Sequence, residues 1–324
     1  MFNLSLQELL QHLINGLTLG AIYALIALGY TMVYGILKFI NFAHGEILMV
    51  GTFISLAVYN VLCSTATSGM MIIVFFIISI IIAMISSGLL GVVIEKIAYK
   101  PLRNASRLAP LLSAIGVSII LTNLAQIIFG TKDQRFAYPY NNDPFNLFGI
   151  SITPTHILTI IVSLFLMVIL KFFIDKTKLG KAMRATSENK RIAALMGINV
   201  DFIVSLTFAI GSSLAAVAGI LYALDYKAKS TMGLLIGLKA FIAAVIGGIG
   251  NITGAMLGGL LLGLLETIGF RLFEILVVSI YSIFGKSITG IPLGLKHMVA
   301  FSMLILILLI KPSGILGKNV REKV

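Results

Sequence analysis

Charge is what this sequence has least of: 36 of its 324 residues are Asp, Glu, Lys or Arg, 11% of the chain, against the roughly 25% usual in soluble domains. A solvated surface needs about a quarter to a third charged residues, so a soluble globule is excluded. The single cysteine, Cys63, excludes an intramolecular disulfide, and no Cys/His spacing resembles a zinc site. Met1 to Glu8 lacks the basic n-region of a signal peptide, and the apolar run after it is too long for a cleaved hydrophobic centre. That run is expected to stay in the membrane. A phosphate-binding loop is also missing, because Gly285 to Ser287 (Gly-Lys-Ser) has Ile280 where the motif requires glycine. Any nucleotide-hydrolysing site must therefore sit on another subunit. Neither HExxH nor G-x-S-x-G occurs, and no paired acids on one helix favour an embedded enzyme.

What the chain has in abundance is apolar surface, 59% of its residues with a mean hydropathy of +1.07. The expectation is an all-α, polytopic integral membrane protein. Charge-free windows run over Leu9 to Leu37, Ile47 to Ile94, Leu108 to Thr131, Pro144 to Leu170, Phe202 to Leu224, Ala240 to Leu265 and His297 to Ile310. All but the last exceed the roughly 20 residues that cross the hydrocarbon core as a helix, and the last reaches that length if it starts at Ile291, with Pro292 in its first turn. The Ile47–Ile94 window holds two spans, with Asn60 to Gly69 as the polar break. Gly233 to Phe270 forms either two spans joined at Gly250 and Asn251 or one span and a re-entrant half-helix.

The net charge of +12 is not a nucleic-acid patch. Fourteen of the 24 basic residues lie in three stretches between apolar runs, Glu95 to Arg107, Asp175 to Asp201 and Lys311 to Val324, which hold only five acids and supply +9. Lysine and arginine near span ends are retained in the cytoplasm, so all three are assigned there. Lys132 to Gly149, with two bases and two acids, fits an external loop. The count is then nine transmembrane helices with the N-terminus outside, or eight with it inside if Ile47 to Tyr59 is re-entrant.

Gly16 and Gly20, and the denser series Gly250, Gly254 and Gly258, place small residues four apart, which lets helix backbones pack closely. The alternative for these glycines is a direct part in a solute path. In INFAHGE, Asn41, His44 and Glu46 gather polar groups at the start of a long apolar run. Ionisable groups at membrane depth cost a few kcal/mol or more and by default mark a path or a paired site; the bland reading is a polar loop before a helix N-terminus. In Leu179 to Asn199, Ser187 is the N-cap candidate of a short helix, Glu188 lies in its first turn and Gly197 is its stop. Its stripe of Ile192, Leu195 and Met196 calls for a docking partner, or for a lipid headgroup surface. His12, His156 and His297 read as interfacial or packed.

Six stretches, NGLTLGAIYALIALGYTMVYGI, INFAHGE, GKAMRATSENKRIAALMGIN, FAIGSSLAAVAGIL, GLKAFIAAVIGGIGNITGAMLGG and PSGILG, run in order from Asn15 to Gly317. Together they resemble permeases of branched-chain amino acid ABC transporters of the LivH type. The resemblance implies one transmembrane permease domain over 1–324, multi-pass in the inner membrane. It also implies a second related permease, two cytoplasmic ATPase subunits that use ATP and Mg, an external substrate-binding protein, and no cofactor on this chain. Residues 175–201 then become the cytoplasmic loop carrying the coupling helix, with Glu188, Arg191, Ala194 and Gly197 facing the ATPase. Asn41, His44 and Glu46 fall in the segment expected near the translocation path. Permeases for urea, short amides and other amino acids share much of this pattern, and a secondary transporter relaying protons through His44 and Glu46 is the rival class.

Overall fold

The structure, a computed structural model, describes residues 5–103, 105–106, 108–147, 149–283 and 293–317. Capping side chains and apolar runs set the helix limits. Ser5 opens α1 (Leu6–Leu37) by accepting the Glu8 N–H, and Lys38 closes it in the left-handed region at φ 61°. The chain turns back into α2 (His44–Cys63) and, after a break at 64–68, into α3 (Gly69–Ile94), where the sequence had placed its polar interruption. A π turn (Glu95–Tyr99) and a 3-10 turn (Lys100–Leu102) prolong α3. After α4 (Leu108–Phe129) comes a small antiparallel hairpin, β1 (Phe145–Leu147) and β2 (Ile150–Ile152).

Pro144 to Leu170 is therefore not one helical window. Its first ten residues hold the hairpin, and α5 (Pro154–Lys176) starts only where Thr153 accepts the His156 N–H and Pro154 occupies the first turn. Next come α6 (Lys178–Glu188), α7 (Lys190–Leu195), α8 (Val200–Asp225), α9 (Met232–Gly247), α10 (Ile252–Ile283) and α11 (Lys296–Ile310). Among the described residues six helices are long and apolar enough to cross a membrane: α1, α2, α3 with its extension, α4, α5 and α8. α9 and α11 are shorter apolar helices, and α10 spans 32 residues.

Packing is arranged around α1, which is buried on every side from Thr18 to Val33. Such all-round burial needs small contact residues, because lipid tails are as apolar as leucine and close backbone packing does the holding. Gly16 and Gly20 supply it against α10: a Cβ at Gly20 would meet the Leu260 backbone at 2.8–2.9 Å, and one at Gly16 would meet Thr267 and Leu264. Gly254 and Gly258 do the same against α9 at Gly247 and Ala243. Gly250 does not belong to that series. It faces open space at φ +93°, and with Gly248 at φ +102° it makes the turn between α9 and α10, a conformation that glycine adopts without a Cβ penalty. The outward faces of α3, α4 and α5 carry exposed Ile77, Ile119 and Val168 in the manner of lipid-facing surface.

One end of the bundle carries the hairpin. There Gln11 near the start of α1 exchanges two hydrogen bonds with Ser151, at 3.0 and 2.8 Å. The opposite, basic end gathers the close of α1, the extension of α3, α6 and α7. At this end the PSGILG stretch completes α9, because the Ile315 and Leu316 N–H groups donate to the carbonyls of Ile246 and Gly247 at 2.8 and 3.0 Å. Asn251 links the same parts, donating from Nδ2 to Leu316 at 2.8 Å and accepting from the Gly254 N–H at 3.1 Å.

Candidate translocation path and coupling surface

After Lys38 the chain does not start α2 at the surface but runs back along α1. His44, the first residue of α2, lies against Gly29, whose Cβ would collide with the imidazole. Gly29 is eight residues from the end of α1, about 12 Å at 1.5 Å per residue. Non-helical backbone at that depth must be enclosed by protein, and Asn41 organises it: its Oδ1 accepts from the Ala43 N–H at 3.1 Å and from the Tyr99 hydroxyl at 2.6 Å. Tyr30 meets the His44 ring edge-on at 4.8 Å. Glu46 accepts from the Ser118 hydroxyl of α4 at 3.1 Å, and Gly233 of α9 lies against its other oxygen.

The three path candidates named from the sequence are thus brought together, each with no more than 2% of its surface exposed. Asn41 Nδ2, His44 Nε2 and Glu46 Oε2 make no hydrogen bond within the protein. Buried polar atoms without partners are costly, and these three fall within six residues of the chain, packed among α1, α2, α4 and α9. None of the three lines any of the five cavities described here.

Cavities lie instead at the two ends. At the hairpin end, a cavity of about 410 Å³ includes Tyr23, Arg135, Tyr222, Lys239 and His297, and a neighbour of similar volume includes His12, His156, Arg271 and Lys296. Asp225 and Tyr226 line both. At the basic end a cavity of about 490 Å³ opens among Lys38, Lys171, Asp175, Arg184, Glu188 and Asn251, and a small one of about 80 Å³ beside it reaches Thr31. Among the described residues no group of three His, Cys, Asp or Glu side chains could hold a metal ion.

The loop 175–201 folds as two helices rather than one. Ser187 is not the cap: its hydroxyl donates to the Arg184 carbonyl inside α6, whereas Asn189 accepts from the N–H groups of Arg191 and Ile192 and opens α7. A carboxamide two residues on could satisfy two backbone donors at once, which the hydroxyl in the last turn of α6 could not. Gly197 ends α7 at φ +81° as its sequence position implied. α6 is held to α5 by Gly180, which admits no side chain against the carbonyls of Phe173 and Ile174, and by buried Met183 and Thr186. Glu188, Arg191, Ala194 and Gly197 are all exposed. Ile192, Leu195 and Met196 stand 57%, 86% and 77% exposed, enough apolar surface on one short helix and its C-cap to require a cover. Between α6 and α7 runs an apolar groove of about 620 Å³ lined by Lys178, Ala182, Ala185, Ile192 and Met196. Burial, then the positive charges of Arg103 and Lys38, push the Lys190 ammonium below the usual lysine range. We expect Asn189→Ala to cost α7 about 1 kcal/mol, the usual worth of such a cap, read as faster amide exchange over residues 191–195 with no change elsewhere.

A family model described as the permease component of branched-chain amino acid transport systems matches residues 12–308. The chain belongs to that family. The permease is 42% identical to the high-affinity branched-chain amino acid transport permease BraD of Pseudomonas aeruginosa, over 97% of this chain and 98% of the relative. It is 42% identical to the corresponding LivH of Salmonella typhimurium over 97% of both, and 29% identical to a probable LivH of Methanocaldococcus jannaschii over 90% of this chain and 88% of the relative. No solved structure is significantly similar. The permease is a multi-pass protein of the cell (inner) membrane.

Sequence reasoning missed a second polar centre of the permease. Glu266 of α10 accepts from the Lys239 ammonium of α9 at 2.6 Å and from the Tyr23 hydroxyl of α1 at 3.0 Å. The signal was present, since Lys239 and Glu266 are the two charged residues of the Gly233–Phe270 stretch. Their pairing lay hidden in a sequence separation of 27 residues.

Proposed function

We propose that the permease imports leucine, isoleucine and valine as the membrane subunit of a binding-protein-dependent ABC transporter. In this reading it alternates access between the two bundle ends without chemistry of its own. A second related permease completes the pathway, two cytoplasmic ATPases supply the work from ATP and Mg, an external binding protein delivers the amino acid, and lipid surrounds the outward faces of α3, α4 and α5. The whole chain, 1–324, acts as one permease domain. The family match over residues 12–308 carries the reading, and the exposed α7 stripe supports the docking of a cytoplasmic partner.

The sides follow from charge. With the basic end in the cytoplasm, α1 starts outside, and α1, α2, α3, α4, α5, α8, α9, α10 and α11 make nine crossings. α2 then enters as a broken helix whose first turn lies inside the protein. A zwitterionic substrate needs polar groups for both ends and apolar walls for its side chain. Asn41, His44 and Glu46, each with an unpartnered polar atom, are assigned to the inner part of that route. Alternation requires ATP-bound partners to favour one orientation and the delivered substrate complex the other.

Glu188, Arg191, Ala194 and Gly197 form the docking face for the ATPase in this reading. Glu188→Lys reverses a charge at its rim, and Gly197→Leu adds bulk while forcing a branched residue to positive φ, which costs roughly 1–2 kcal/mol. Each variant is expected to insert normally but to recover at least about tenfold less ATPase on co-purification, with leucine uptake in proteoliposomes falling in step. Full recovery and uptake in both would refute the coupling face. Uptake of leucine, isoleucine and valine in a panel of amino acids, urea and short amides tests the substrate class.

A further inference from the structure

We infer that Lys239 and Glu266 form an occupied stand-in for the substrate's own charges, a zwitterion clamp at the floor of the external cavity. The inference rests on the function proposed above and names the groups that take the amino acid there. Tyr23 lies 17 residues from the start of α1 and 14 from its end, about 26 Å and 21 Å along the axis, so the trio sits near the middle of the membrane. The Glu266 side chain is 1% exposed and that of Lys239 9%. Neither charge could stand at that depth alone, and their contact neutralises both.

A pair serving only to tie helices would be sealed on both sides. This one is not. Glu266 is enclosed, with Tyr23 and Lys239 as its partners, whereas Lys239 lines the cavity of about 410 Å³. Beside it the cavity wall is Met232, Leu235 and Ile236 with Tyr23 and Tyr222. The lining also carries Arg135, Lys227, Lys229 and Asp225; Asp133 pairs with both Lys227 and Lys229, at 3.7 and 3.4 Å, and the balance of charge stays positive. A carboxylate drawn in by that field meets Lys239, and the apolar wall takes an aliphatic side chain.

The exchange conserves charge. An α-amino acid carries one carboxylate and one ammonium, the same two groups that Glu266 and Lys239 present to each other. Its carboxylate takes the Lys239 ammonium, and Glu266, still held by Tyr23, takes the substrate ammonium; one ion pair becomes two with no net charge buried. A sugar or an amide offers no such swap, so the site selects zwitterions by the cost of separating its own pair. On the opposite side of α9, Gly233 and Gly237 pack against Gly45, so α9 stands between this clamp and the cluster of Asn41, His44 and Glu46.

The test uses the complex co-purified from its native host through a tag on this chain and reconstituted with radiolabelled leucine outside. In Lys239→Met/Glu266→Leu both charges are gone and the helices keep an apolar contact of similar volume, a replacement that buried ion pairs tolerate. The double variant is expected to insert and to co-purify at wild-type levels but to lose leucine uptake by about 100-fold, the scale of a lost buried charge contact. Uptake within about threefold of wild type would reduce the pair to a strut and overturn the clamp. Lys239→Arg supplies an independent check, because it keeps the ion pair and the fold but moves the donors. A raised KM for leucine at similar kcat supports the clamp, and an unchanged KM overturns it. Failure of the wild type to take up leucine would refute the branched-chain reading itself, a result separate from the variant comparison.

Discussion

Gly259→Leu is expected to remove the permease from the membrane fraction. Gly259 and Gly263 of α10 meet Ala24 and Gly20 of α1 so closely that a Cβ at either would overlap the backbone of α1. The obstacle is main chain on both sides, which has no rotamer to change. Overfilled cores ordinarily lose about 1–3 kcal/mol, but here four added carbons can be accommodated only by moving one helix axis off the other. That displacement also separates Tyr23 from Glu266, which bridge the same two helices, Glu266 lying about two turns along α10 from Gly259. Leu261→Ala, on the exposed side of α10, provides the matched control and is expected to accumulate normally. Tag quantification in isolated membranes, with the thermal midpoint of whatever protein remains, reads the result; equal amounts and midpoints for Gly259→Leu and wild type would show that the seam is not tight.

The second large effect is expected at Arg103→Ala. Glu95, in the π turn that prolongs α3, is fully buried; it is hydrogen-bonded by Arg103 and by the Ser205 hydroxyl of α8 at 2.7 Å. Arg103 also bonds Asp201 at 2.6 Å, and Lys100 reaches the other Asp201 oxygen at 2.7 Å. Removing the guanidinium leaves a buried carboxylate without its counter-charge, a change that costs about 3–5 kcal/mol. Asp201 is half exposed, so Asp201→Ala forfeits only an exposed pair, about 0–1 kcal/mol. Melting in detergent should therefore show a large drop for Arg103→Ala, a small one for Asp201→Ala, and recovery in Arg103→Ala/Glu95→Leu. Equal midpoints for the two single variants would contradict this account.

Long apolar runs made most of the helices legible, because their signal is additive along the chain. The break at 64–68 and the limits of α1, α4 and α8 fall within a few residues of the windows read from composition. Local chemistry was harder where two residues offered the same service: Ser187 and Asn189 both suit a cap, and only the extended backbone of Asn189, at φ −154°, settles which acts. Gly250 misled because its fourfold spacing with Gly254 and Gly258 imitates a packing stripe, while its positive φ serves a turn. INFAHGE was recognisable as a polar cluster, but its depth depends on the backward run of 39–43 against α1, which no spacing encodes. The Lys239 and Glu266 contact is of the same kind, joining two helices whose facing is decided by glycines rather than by charge.

Because the N–H groups of Ile315 and Leu316 finish the ladder that α9 leaves open at Ile246 and Gly247, that helix cannot be completed when the ribosome first delivers it. Until α10 and α11 have been threaded and the PSGILG stretch emerges, those two carbonyls are left to water at the basic end. A chain ended ahead of residue 315 would therefore keep these helices but lack the protein-made closure of α9.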